Sequence, residues 1–357
     1  MKITRSIAGI ALASASLAAF VGTADAKTMK MTAVAAAPPI VTYVKVVKTQ
    51  IIPEINKRLA ASGKDFKIEW TQAYSQSLAK FTEVFETVEE NVAQLGLVLK
   101  NFEPFKLALE QYPYVVPFAR HTPAQMEIIE ANMRKKVPEL TSIYAKYNHV
   151  YLSSGVSTSM QMFTTFPLTK VSQLKGHKIG ASGSMGLWLK GTGAVRENSS
   201  MANSYTDIKN GLYDGYPISA VLAFPYQTYK AAKFMTKVDF GVSATSALTV
   251  NKDAWNDMPR HAQKIFRDVA QNYSKWQARI DKGKLAKFIG IMKKKGMQTS
   301  TLAQEERRKW AMSMPNIAKE WADRLEKKGQ PAHKVITAFM DEVRALNVEV
   351  ARQWDRE

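Results

Sequence analysis

The 357-residue chain carries 50 Lys and Arg against 31 Asp and Glu, a formal net charge of +19, and no cysteine. The missing cysteine excludes disulfides, thiolate zinc sites and lipid attachment through a cysteine. The 46% apolar content is that of an ordinary globular chain, large enough to form two lobes.

Lys2 and Arg5 precede an uncharged apolar run over 7–21, and Ala24-Asp25-Ala26 offers small residues at a cleavage site. This pattern predicts a signal peptide over residues 1–26, and hence a periplasmic protein. The run is shorter than the roughly 20 residues a spanning helix needs.

Residues 28–35 alternate like a first strand, and Pro38-Pro39 ends it. Helical spacing runs over 40–59, strand alternation over 66–70, a helix over 78–91 and an apolar strand over 94–99. This β-α-β-α-β order predicts an α/β sheet with helical crossovers. A helix is predicted over 123–146, then strands from His149 and over 161–166, and a short strand over 178–181. The helix over 205–210 is stopped by Gly211. A mixed stretch (220–236), a strand (247–250), a long helix from Pro259 through 291, and helices over 302–325 and 331–354 complete the chain. No repeat, low-complexity segment or linker divides it, which favours two lobes exchanging strands.

Catalytic motifs are absent. His121, His149, His177, His261 and His333 share no metal-ligand spacing, and no His-Glu-x-x-His occurs, so no metal or cofactor is expected. Gly180-Ala-Ser-Gly-Ser-Met-Gly186 is not a nucleophile elbow. Gly191-Thr-Gly193 has Arg196 at the third glycine position of a dinucleotide loop. The basic residues are spread along helices without interleaved aromatics, so no nucleic-acid partner is expected.

Leu174-Lys-Gly-His-Lys-Ile-Gly180 is followed by Asn203-Ser-Tyr-Thr-Asp-Ile-Lys-Asn-Gly-Leu-Tyr-Asp-Gly215. In order and spacing the pair resembles the two motifs of the dicarboxylate-type solute receptors of TRAP transporters, with Tyr205, Gly211, Asp214 and Gly215 matching. Tyr112-Pro-Tyr-Val-Val-Pro-Phe118 and Val250-Asn-Lys-Asp-Ala-Trp-Asn-Asp-Met-Pro259 resemble further family segments. The resemblance implies a two-lobed periplasmic binding protein with a mixed sheet in each lobe, crossing strands and a long hinge-spanning helix. Lobe 1 is expected over 27–155 plus about 244–283. Lobe 2 with the C-terminal helices is expected over about 156–243 plus 284–357. It further implies a monomer that clamps a small organic solute, usually an organic acid, and delivers it to membrane permease subunits.

The chain departs from the family at the cleft. The family's carboxylate-binding arginine falls at Gly180, where glycine cannot supply a planar fork of donors. A second basic position falls near Met160, the motif glutamate is Asn203, and a further polar position falls near Ile218. With Met162, Met201 and Trp188 these residues describe either an apolar pocket for an aromatic or apolar solute or a filled core. Lys100, Asn101 and Phe102, after the 94–99 strand, are candidate ligand contacts at a strand's C-terminal end. Lys100 is there either a replacement cation or a loop lysine facing water. Pro38, Pro39 and Tyr43 form a candidate wall. The rival readings are a secreted two-lobed enzyme and a basic envelope-binding protein.

Overall fold

The computed structural model describes residues 27–242 and 244–357; the predicted signal peptide lies outside the described residues. β1 (Lys27–Val34) turns at the two prolines into α1 (Thr42–Val46), which continues through a π-helical segment, Val47–Ile51, into α2 (Ile52–Ala61). β2 (Phe66–Ala73), α3 (Val84–Glu89) and β3 (Leu95–Leu99) follow, then α4 (Tyr112–Val115), α5 (Pro123–Lys136) and α6 (Glu139–Ala145). The helix expected over 123–146 is broken here because Pro138 has no N–H to continue it. α5 starts with a capping box between Thr122 and Gln125 and a proline in its first turn.

β4 (His149–Val156), β5 (Met160–Thr164), β6 (Lys178–Ala181), β7 (Val195–Asn198), α7 (Ser204–Lys209) and β8 (Gly215–Ser219) come next. α8 (Ala220–Ala223), α9 (Thr228–Ala231) and β9 (Phe234–Lys237) occupy the mixed stretch, and β10 (Ala244–Asn251) leads to α10 (Lys252–Asp257). The long helix expected from Pro259 is two, α11 (Arg260–Ala270) and α12 (Tyr273–Lys294). β11 (Gln298–Thr301), α13 (Gln304–Ser313), α14 (Ile317–Glu326) and α15 (Ala332–Ala345) end the described fold.

The strands form two mixed sheets, ordered β2-β1-β3-β10-β4 and β11-β9-β5-β8-β6-β7. In the first, β1 runs parallel to β2 and β3, while β10 returns antiparallel between β3 and β4. β3 is central and reads Leu-Gly-Leu-Val-Leu, buried throughout, as a strand covered on both faces requires. The chain passes between sheets three times, through α10–α12 to β11 and at the β4–β5 and β9–β10 junctions. The two junctions are the crossing strands of a two-lobed α/β fold.

There are two apolar cores, and the first crosses from one sheet to the other, taking in Phe163, Tyr216, Ile218 and Met235 of the second sheet. The first joins β1–β3 to α1, α2 and α11 and runs along α12 to Phe288 and Met292. The second holds β5, β6 and the C-terminal helices, and also takes Met126, Ile129 and Met133 of α5. α5, which precedes β4 in the chain, thus packs with α15 rather than only with its sequence neighbours.

Candidate functional site

The two motifs at 174–180 and 203–215 form one structural unit. Ile179 of β6 pairs in parallel with Gly215 of β8. Asp214 N donates to Lys178 O at 2.7 Å. Its Oδ2 accepts from Lys178 N at 3.1 Å and lies 2.9 Å from His177 Nδ1. The His177 ring stacks on Phe166 at 3.7 Å. Gly211 closes α7 with φ of 73°, the left-handed cap that glycine takes without strain.

A narrow cavity lies where the two sheets meet. Val41, Thr42, Tyr43 and Leu99 line it from the first sheet's side, and Met160, Met185, Met201, Tyr216, Ile218 and Leu222 from the second's. Ser157 and Thr245, at the crossing strands, and Gln277 and Asp281, on α12, complete its polar part. Asn101 and Ser182 touch across it, Asn101 Nδ2 donating to Ser182 Oγ at 3.3 Å. Gln111 and Ser184 make a second bridge at 3.1 Å.

Of the residues singled out from sequence, Asn101, Met160, Met201 and Ile218 line this cavity, as does Tyr43. The others lie elsewhere. Phe102 stacks on Phe81 at 5.1 Å. Met162 is two positions deeper along β5 and wholly buried in the second core. Asn203 is exposed at the start of α7. Trp188 is a core pillar: its Nε1 donates to Tyr114 O at 2.7 Å and its ring stacks on Phe240 at 4.6 Å. Gly180 faces an aromatic ring, since a Cβ built there would come within 2.6 Å of the Tyr213 ring carbons. The slot where the family arginine would start is therefore filled by Tyr213, whose hydroxyl lies 3.0 Å from Ser199 Oγ.

Lys100 corrects both sequence readings, for it faces neither solvent nor the cavity. It is fully buried, and its Nζ lies 2.8 Å from Glu110 and 3.3 Å from Glu130. Arg134 reaches the same two carboxylates at 2.5 and 2.7 Å. Ser154 Oγ and the Tyr112 hydroxyl donate to Glu130 as well. Although burial opposes ionisation of Glu130, the neighbouring Arg134 and Lys100 outweigh it and hold its carboxyl well below the usual range. A buried lysine so paired has no free donor geometry for a solute.

Sequence reasoning missed the polar residues of α12. The apolar face expected there was Trp276 and Ile280, yet both are only partly buried. The buried face instead carries Tyr273, Gln277 and Asp281, spaced four apart. Asp281 is 1% exposed. Ser157 Oγ donates to its Oδ2 at 3.4 Å, while its Oδ1 has no hydrogen-bond partner among the described residues. Burial pushes its carboxyl up to about 6, partly countered by Thr42, Lys284, Gln277 and Ser157. A polar pair at i and i+4 on an otherwise apolar stripe was the available signal.

Among the described residues no cluster of His, Asp and Glu could hold a metal ion, and no helix is long and apolar enough to cross a membrane.

The model of the bacterial extracellular solute-binding protein, family 7, matches residues 60–324. Similar solved structures share the fold at low identity. A Bordetella pertussis extracytoplasmic solute receptor binding pyroglutamic acid has a TM-score of 0.77 at 20% identity, covering 88% of this chain and 100% of that one. A TRAP solute-binding protein from Rhodoferax ferrireducens, in complex with copurified benzoate, has a TM-score of 0.78 at 11% identity, covering 89% and 98%. A TRAP periplasmic solute-binding protein from a Sulfitobacter species, with bound β-D-galacturonate, has a TM-score of 0.75 at 11% identity, covering 87% and 100%. No curated protein sequence matches the chain.

Proposed function

From its membership in family 7 of the bacterial extracellular solute-binding proteins, we propose that this chain is the periplasmic receptor of a TRAP-type uptake system. It clamps one small organic solute between its lobes and hands it to the membrane permease subunits, acting as a monomer and without catalysis. The observation that carries this reading is the cavity built jointly by the two sheets and α12 and bridged by the Asn101–Ser182 contact. A solute touching both walls favours the closed arrangement, and that differential affinity is what shifts an open–closed equilibrium. The lining supports a solute with an apolar body, because methionines adapt to irregular shapes and Tyr216 offers a ring face.

The test is thermal unfolding of ligand-stripped protein against a solute library, followed by calorimetry and small-angle scattering on the hits. A solute at 100 times its dissociation constant stabilises the fold by about 2.7 kcal/mol. Hits confined to one chemical class, with a more compact scattering profile on binding, support the receptor. A library spanning organic acids, amides, amines and neutral apolar compounds that yields no hit refutes it.

A further inference from the structure

Resting on the receptor reading, we propose that the end of the solute seated at Asp281 is a nitrogen bearing N–H, an amine or an amide, and not a carboxylate. No Lys, Arg or His lines the cavity among the described residues; the carboxyl there is that of Asp281. Its buried Oδ1 lacks a donor. A buried acceptor left unpaired is costly, and a solute N–H removes that cost.

The protein cation that acts on Asp281 does so through space and does not bond Oδ1. Lys284, one turn along α12, is the nearest, and its Nζ is held by Ile40 O at 3.2 Å and Thr42 Oγ1 at 3.1 Å. The Tyr273 hydroxyl, two turns back, is paired with Ser246 Oγ at 2.9 Å. Ser157, Thr42 and Gln277 donate to or flank the carboxyl but leave Oδ1 open. A solute carboxylate placed here would meet a like charge with no counter-cation in the lining, an arrangement that disfavours two ionised forms. An amide N–H satisfies Oδ1 as a neutral donor, and an ammonium adds charge pairing. Val41, Leu99, Met160 and Met201 then enclose the apolar remainder.

The experiment uses the full mature chain and matched sets of probes on shared skeletons, benzyl, phenylethyl, cyclohexyl and n-butyl, each carried as amine, amide and carboxylate. Thermal shift ranks the head groups, and calorimetry on wild type and Asp281→Asn measures the hits. The expected result is binding confined to amines or amides, with amine affinity falling roughly thirtyfold or more in Asp281→Asn. Carboxylates ranking first on their skeletons overturn the inference while leaving the receptor reading intact. So does amine binding that is unchanged in Asp281→Asn; for amides, whose N–H the Asn carbonyl still accepts, the head-group ranking decides. The wild-type head-group ranking decides the matter even if the variant does not fold. Absence of any hit across head groups overturns the receptor reading and this inference with it.

Discussion

Replacing Lys100 with methionine separates a structural lysine from a ligand-binding one. Lys100 and Arg134 face Glu110 and Glu130 inside the protein, with separations from 2.5 to 3.3 Å. Lys100→Met keeps the side-chain volume and leaves two buried carboxylates with a single cation. Breaking a buried pair by removing one partner costs about 3–5 kcal/mol. At roughly 2–4 °C per kcal/mol, this lowers the midpoint by about 6–20 °C. The loss is largest near neutral pH and shrinks in acid, where a stranded carboxyl takes up a proton. A second change, Glu110→Gln, restores the charge balance and recovers part of the stability. Urea unfolding followed by circular dichroism gives the free energies, and calorimetry gives solute affinity. Stability within about 1 kcal/mol of wild type, together with a large loss of solute affinity, would show that Lys100 reaches the solute and that this reasoning is wrong.

Gly180→Arg, which restores the family's residue, should destabilise by about 1–3 kcal/mol because its Cβ meets the Tyr213 ring; a well-folded variant that gains organic-acid binding would show that Tyr213 yields easily. Asp281→Asn should stabilise the solute-free protein near pH 7 by up to about 3 kcal/mol, the equivalent of raising a carboxyl by about two pH units. The sign follows from a folded value of about 6 against an ordinary 3.8: the carboxyl is tolerated when protonated and disfavoured as pH rises from 4 to 6. The gain over wild type should therefore vanish below pH 4, and a gain that instead grows in acid contradicts the assignment. His121 and His149 act in the opposite sense, since burial pushes both down to about 4. Their contribution is complete above about 6.5 and is lost as pH falls toward 4, so His149→Gln should flatten the acid decline in midpoint over that window.

Much of the architecture could be read from the chain because its central strands are short apolar runs between amphipathic helices. Four strands escaped: β7 and β11 are edge strands of four residues each, while β8 and β9 lie inside the second sheet. Val195–Asn198 and Gln298–Thr301 are mostly exposed and polar, so no burial imposes a period on them. Helix lengths were overestimated where a proline or a brief turn interrupts the pattern, as at Pro138 and again between α13 and α14. For the cavity, the count from the motifs reached lining positions at Asn101, Met160 and Ile218, but gave no depth along a strand. Met162, two residues past Met160, is already in the core. The partner filling the missing arginine's place, Tyr213, comes from a different strand approach and is 33 positions from Gly180, which motif spacing does not reveal.

On the proposed reading, the placement of Asp281 links recognition to closure. α12 has 22 residues, a length of about 33 Å at 1.5 Å per residue. Its start is tied to the first sheet's side, where the Tyr273 hydroxyl meets Ser246 of β10. Toward its end Phe288 stacks on Phe224, just after α8, at 4.2 Å, on the second sheet's side. Asp281 lies between these anchors and faces Thr42 of α1 and Ser157 of the crossing segment. A solute bonded to Asp281 and resting between Leu99 and Met160 touches the helix and both walls at once. If the lobes open, those walls separate while the helix remains, so part of the solute's contact is lost. Binding energy gained at the apolar walls is then specific to the closed form, whereas the bond to Asp281 can form in either. The head group would thus set which solute is accepted, and the apolar body would set how far acceptance closes the cleft.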